Sequence, residues 1–391
     1  MDLGRLRQLG GVGALRFNAN QGLPIAIDFG AGCLKVLQIA AGDPLTLVSA
    51  AAVETPEELI GDPARRIAFQ LEVLPNLIKA GAFKGKRVIC GIPAGHTIVK
   101  HIQTQRIPGV SVGETVTQAL CVQLGCSQDS ILVRHVEVGS ASRAGAGAKT
   151  EVICIASTRQ LVSGLLKSIK EAKLEPVGMH AEPLATLRAF DHLKAREDGA
   201  ILYLDIGAHT TNLTIGHADH LVFARKIDFG GHAIDQAINK LTGEGLAKAR
   251  YTRLGGRRDM YDGLSDVMSA VEPAQQRTAV MDPPTSGVSF GGVSVGEPLE
   301  ILADEISMCL RYHSSLFPDT QISKVIFLGG ESHHSGLCQF IARAVRLPGQ
   351  TADPMARVAR SGTEMVVGVD FLNPQPGWVV PLGLCLSPTD F

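Results

Sequence analysis

Two short stretches of this chain end an apolar run on an aspartate and follow it at once with glycine. In the first, Asp28-Phe29-Gly30-Ala31-Gly32-Cys33-Leu34-Lys35, the glycines let backbone approach a phosphate, and Lys35 supplies a compact positive charge. Asp28 suits Mg2+ held through water, because a phosphate-bound Mg2+ keeps several waters and takes few protein ligands. By itself an Asp-x-Gly is common and reads first as an ordinary turn. The second stretch is Asp205-Ile206-Gly207-Ala208-His209-Thr210-Thr211-Asn212. Its backbone N–H groups can wrap a phosphate, Thr210 and Thr211 can donate to phosphate oxygens, and Asp205 offers a second water-mediated Mg2+ ligand. The competing reading is a hairpin turn.

Two weaker signals follow. Phe327-Leu328-Gly329-Gly330-Glu331-Ser332 runs a buried strand into a Gly-Gly corner, where a flat base and its sugar can lie against backbone. Gly230-Gly231 opens a helix carrying Asp235, and Glu244 with Lys248 sit at i, i+4 on the next helix, a spacing equally served by a solvated ion pair. His209 is either a phosphate donor or a solvent-facing turn residue. His217 and His220 lack a third ligand and read as a hairpin turn, not a metal site.

The elements that must position these residues repeat. Residues 24–40 read as a strand, a Gly-rich turn and a strand, and residues 200–227 repeat that pattern with a third strand, which predicts an internally duplicated α/β protein. Between the copies come a strand ending in Gly91-Ile92-Pro93 and a helix from about Val112, with Ser111 as N-cap and Glu114 three residues on. A strand near 131–138, a loop at 139–149, a second apolar strand and a helix from Thr158 to Ala172 complete a compact α+β insertion. Residues 255–297 are rich in Gly, Pro, Asp and Ser with little periodicity and read as a long irregular insertion. A long helix, the strand before Gly329, another helix and a closing apolar helix expected on the second lobe end the chain. The predicted layout is a flexible tail (1–23), a first lobe (24–100 and 178–198), an inserted subdomain (101–177) and a second lobe (199–391).

The bulk numbers agree with two lobes. At 391 residues the chain exceeds the size at which one core stops growing. Thirty-seven basic against 38 acidic side chains exclude the basic excess that draws nucleic acid. Eight scattered cysteines without Cys-x-x-Cys pairs read as reduced core residues, and no apolar run is long enough to span a membrane, so a cytoplasmic protein is expected.

The order of the motifs, Asp-x-Gly…Lys, then Asp-x-Gly-x-x-Thr-Thr-Asn, then Gly-Gly, then a strand with Gly-Gly, resembles the phosphate and adenosine loops of the actin, sugar-kinase and heat-shock-chaperone superfamily. The stretches IAIDFGAGCLKVLQI, LLKSIKEAKLEPVGMHAEPLATLRA, ILYLDIGAHTTNLTI, GGHAIDQAI and LADEISMCLRYH are similar to the PilM family of type IV pilus assembly proteins, over roughly residues 24–388. That resemblance implies a duplicated actin-like (ribonuclease H-like) two-lobed ATPase fold with an FtsA-like inserted subdomain. It implies ATP and Mg2+ between the lobes. Asp28, Gly30 and Lys35 would form the first phosphate motif, Asp205, Gly207, Thr210 and Thr211 the second, with Gly230, Gly231 and Lys248 beside it and Gly329, Gly330 and Ser332 as the adenosine motif. Glu182 falls where chaperone-like members carry an acidic residue near the attacking water; it reads equally as a helix N-terminal carboxylate. The implied role is a cytoplasmic scaffold with at most slow ATPase activity, recruited to the inner membrane through the short N-terminal tail of a PilN-like protein; a homo-oligomer stays open. Alternatives are a small-molecule kinase of the same superfamily, or an FtsA-like or type II secretion platform.

Overall fold

The computed structural model describes residues 22–106, 109–141, 149–192, 199–217, 220–255 and 287–389. The expectations for the N-terminal tail, most of the 139–149 loop and most of the 255–297 insertion lie outside them.

The chain opens with β1 (Ile25–Phe29), β2 (Cys33–Ala40) and β3 (Thr46–Glu54), then α1 (Glu57–Ile60), α2 (Pro63–Ala80) and β4 (Arg87–Gly91). All five residues of β1 are buried, as a central strand covered on both faces requires. The side chain of Asp62 accepts from the amide of Arg65 and Pro63 follows at the first helical position, which starts α2 where it does. Next come β5 (Ile98–Gln105), α3 (Val112–Leu124), β6 (Ile131–Ala141) and β7 (Lys149–Thr158), before α4 (Arg159–Glu171), β8 (Glu175–His180) and α5 (Glu182–His192). Ser111 and Glu114 form the expected reciprocal cap on α3.

The second half repeats the scheme with β9 (Ala200–Ile206), β10 (Thr211–His217), β11 (His220–Ile227), α6 (Gly231–Thr242) and α7 (Leu246–Arg253). A short hairpin, β12 (Val288–Phe290) and β13 (Val293–Val295), leads into α8 (Glu297–Leu316), β14 (Ile322–Leu328), α9 (Ser335–Val345) and β15 (Gly349–Thr351). The chain closes with β16 (Met365–Val367) and α10 (Val379–Cys385).

Two sheets carry the duplication. The first runs β16-β3-β2-β1-β4-β8 and the second β11-β10-β9-β14-β15; in each, an antiparallel three-strand meander is extended by two parallel strands beyond β1 or β9, and in the first β16 adds a parallel strand at the other edge. One core backs the first sheet, another backs the second, and a third lies between them and takes residues from both lobes together with α5 and α10. The insertion is the antiparallel sheet β5-β7-β6, with Val116 and Leu120 of α3 packed on one face. Its other face, Ile153 and Ile155, joins the central core beside Leu221 and Ala224 of the second lobe.

One expectation is corrected. The closing apolar helix, expected on the second lobe, packs against β1, β2, β4 and α5, and β16 pairs with β3. All seven residues of α10 are buried. A helix apolar all round needs cover on every side, and the slot between the first sheet and α5 supplies it. Gly383 makes this fit, because a Cβ there would collide with the backbone of Ala185. Among the described residues no helix is long and apolar enough to cross a membrane.

Candidate functional site

The β1–β2 turn holds the first glycine loop. Antiparallel pairing sets Asp28 directly opposite Lys35, so residues seven apart in sequence become neighbours, with Lys35 Nζ 3.7 Å from Asp28 Oδ2. The β9–β10 turn repeats this with Asp205 opposite Asn212. Parallel pairing of β9 with β14 then places Leu328 beside Asp205, which delivers Gly329 to the same point. Gly329 has φ +84°, and a Cβ there would run into the Ile206 carbonyl and the Asp205 carboxylate. The two loops approach closely: a Cβ on Gly32 would sit 3.0 Å from that of Ala208.

The result is a cleft cavity of about 510 Å³ between the lobes, lined by Asp28, Gly30, Lys35, Glu182, Asp205, Gly207, His209, Thr210, Gly329 and Gly330 among others. Thr211, Gly230, Gly231, Lys248 and Ser332 do not line it. The Thr211 hydroxyl donates to the Phe229 carbonyl at 2.8 Å, and the Ser332 hydroxyl donates to the Leu328 carbonyl, so both hold their turns from behind. Gly230 and Gly231 back the second loop: the amides of Gly231 and His232 donate to the carbonyls of Gly207 and Ala208 at 3.0 and 2.7 Å. Lys248 is exposed, its ammonium 5.2 Å from the centre of the Tyr251 ring.

Charge at the cleft floor is unbalanced. Buried Asp28 and half-buried Asp205 and Glu182 surround one ammonium, Lys35. Burial raises the Glu182 carboxyl well above the usual range, helped by Asp205 and Asp28 and opposed by Lys35. Burial likewise raises Asp205 to about 6, against the pull of Lys35, and raises Asp28. Burial alone would lower Lys35, but the surrounding carboxylates outweigh it and hold the ammonium charged. Three carboxyl groups facing a single ammonium leave room for further positive charge, such as a water-clad divalent cation arriving with a phosphate. Burial and then Arg66 push the His209 imidazole below its ordinary value, toward the neutral form.

The cleft residues that sequence reasoning missed include Arg66, Arg250, Arg253 and Glu331. Arg253 forks onto Asp235, Nε to Oδ1 at 2.5 Å and Nη2 to Oδ2 at 3.1 Å, and its Nη1 donates to Glu331 beside the Gly329-Gly330 corner. Burial raises both carboxyls against the pull of Arg253. In the one metal-capable trio among the described residues, Glu57, His232 and Asp235, both oxygens of Asp235 are taken by Arg253 and Glu57 Oε2 accepts from Arg250 at 2.9 Å, while Glu57 Oε1 and His232 Nδ1 make no hydrogen bond. The exposed His217 and His220 are not part of it.

The model of the family described as type IV pilus assembly protein PilM matches residues 26–257, more than half of the chain. No curated protein sequence matches. Among solved structures, a PilM–PilN type IV pilus biogenesis complex is similar over 93% of this chain and 97% of that one, with 20% identity and a TM-score of 0.66. Lower similarity links the chain to the ethanolamine utilization protein EutJ from Carboxydothermus hydrogenoformans (12% identity, 93% and 89% covered, TM-score 0.46) and to MreB5 of Spiroplasma citri bound to ADP (13%, 86% and 93%, 0.44). The duplicated sheets, the insertion and the likeness at TM-score 0.66 together give the two-lobed actin-like ATPase fold.

Proposed function

This chain belongs to the PilM family of type IV pilus assembly proteins, and we propose that it is an ATP-binding scaffold whose nucleotide state is felt by a docked PilN-like tail. The observation that carries the reading is the cleft itself, where two glycine loops face each other across three carboxylates and Lys35. In this reading Mg2+ accompanies the phosphates and neutralises charge on them. Lys35 meets phosphate as a point charge, the Gly30–Gly32 and Gly207–Thr210 backbones cradle it, and Gly329-Gly330 leave room for base and sugar. Asp28 and Asp205 orient the cation through water.

The fit to a scaffold rests on Glu182. Its carboxyl accepts from the Asn212 side chain, which ties it back to β10 and away from the role of a free base for activating water. ATP hydrolysis is therefore slow. The solved relative at TM-score 0.66 is a complex with PilN. A groove of about 620 Å³ between the inserted sheet and α4, floored by Ile98, Leu124 and Ile131 and rimmed by Asp129 and Arg159, suits a short amphipathic tail. The tail would bring an otherwise cytoplasmic protein to the inner membrane.

Titration of Mg2+·ATP into the protein and into Asp28→Ala and Asp205→Ala tests the cleft. Affinity should fall at least tenfold in each, and unchanged affinity in both sinks the assignment. Titrating the PilN tail peptide with and without ATP tests the partner, and no binding in either state removes it.

A further inference from the structure

At the mouth of the cleft, one carboxylate of the first lobe holds two groups of the second. Glu57 Oε2 accepts from Arg250 Nη1 at 2.9 Å, and Glu57 Oε1 faces His232 Nδ1 at 3.8 Å. The same Arg250 nitrogen donates to the Thr55 carbonyl at 3.2 Å, and Glu54 stands 3.9 Å from the guanidinium. The contact is well shielded, with the side chains of Glu57, Arg250 and His232 all less than a fifth exposed. Glu57 Oε1 and His232 Nδ1 have no hydrogen-bond partner of normal length, so they are within reach of a closer approach than this structure shows.

What gives the contact meaning is where each half is anchored. On the first lobe, the Thr55 amide donates to the Gly32 carbonyl at 3.0 Å, and Gln70 Nε2 donates to the Gly30 carbonyl at 2.7 Å. On the second, the His232 amide donates to Ala208. Thr55, two residues before Glu57, and His232 are thus each hydrogen-bonded through the main chain to one of the two glycine loops. A displacement that separates the loops therefore pulls on the Glu57–His232 contact.

We propose that Glu57 is a latch that gates passage of nucleotide into and out of the cleft, a positioning residue that touches no ligand itself. The inference rests on the nucleotide reading above. Glu57 does not line the cavity, whereas Arg250 does, so the latch is testable apart from binding contacts. A gate acts on the population of the open state, and exchange in both directions scales with that population. Glu57→Gln keeps the shape and removes the charge. It should raise the association and the dissociation rates of N-methylanthraniloyl-ATP, measured by stopped flow with an unlabelled chase, by about tenfold each. The dissociation constant should stay within about threefold.

Unchanged rates overturn the latch. A faster dissociation with an unchanged association rate overturns it too, because that pattern belongs to a binding contact. A second measurement needs no nucleotide. Amide hydrogen exchange over residues 54–60 and 246–253 should accelerate in Glu57→Gln relative to the parent, while exchange in β1 and β9 stays as it was. No acceleration overturns the latch even if nucleotide binds. If the parent protein fails to bind the analogue, the nucleotide reading falls, and the exchange result still decides whether Glu57 ties the lobes.

Discussion

The Asn212 side-chain amide donates to the carboxylate of Glu182, which ties the start of α5 to β10 across the cleft floor. Glu182 is an acceptor in that bond, and a glutamine carbonyl can accept it equally well. The carboxyl is raised in the folded protein by burial and by Asp205 and Asp28, so the fold is favoured at low pH, where the group is protonated in both states, and loses that favour as pH rises. Glu182→Gln should therefore stabilise the nucleotide-free protein by about 1 kcal/mol at pH 8 and leave it unchanged at pH 4. Thermal denaturation at the two pH values reads this directly, and a loss of stability at pH 8 would contradict it.

Burial pushes the Asp205 carboxyl up to about 6 against the pull of Lys35. A cation-assisted ligand needs its anionic form, so Mg2+·ATP affinity should climb from pH 5 to pH 7.5 and then level off. In Asp205→Asn the overall affinity should be lower and this step should disappear. Calorimetric titration across that range checks both the midpoint and its loss.

Arg253 is the sole guanidinium directly bonded to Asp235 and Glu331 among the described residues, and all three side chains are nearly fully buried. Arg253→Ala leaves two raised carboxyls facing each other with only the more distant Arg250 as counter-charge. The expected cost is about 3–5 kcal/mol of unfolding free energy, far above a surface substitution. Urea denaturation should show the shift in midpoint, smaller at acid pH, where the stranded carboxyls take up protons.

The two glycines of the corner after β14 should separate fold from binding. Gly329 needs its positive φ and has no room for a Cβ, whereas a Cβ on Gly330 meets nothing within 4 Å and projects where the cleft is lined. Gly329→Ala should lower stability by about 1–3 kcal/mol. Gly330→Ala should leave the melting temperature nearly unchanged and weaken nucleotide binding. Equal effects of the two substitutions on both readouts would falsify this division.

The glycine loops were legible because their chemistry is local: Asp28 and Lys35, or Asp205 and Asn212, need only a hairpin to meet. The insertion was legible from its own turn and cap signals, with Ser111 and Glu114 capping α3 as the spacing implied. Arg66, Arg250 and Arg253 were not legible, because each reaches the cleft from a helix whose periodicity says only that one face is buried. Lys248 shows the opposite error. It shares a helix with Arg250 and Arg253, yet a shift of two residues turns it away from the cleft, and spacing alone does not say which face looks inward. For α10 the apolar composition predicted burial correctly, while the choice of lobe depended on the slot that Gly383 and Ala185 leave open.

The return of β16 and α10 to the first sheet makes the polypeptide a closed circuit: it starts in one lobe, builds the other, and comes home to finish the first. The first lobe is therefore not a contiguous stretch of gene, whereas the second, from β9 to β15, is. A protein cut after α9 would keep every residue of both glycine loops and still expose the central core along β1, β2 and β4. Separately expressed halves should be insoluble alone, and a split version of this protein should work only where the two fragments are made together, so that residues 365–385 can complete the first lobe in trans.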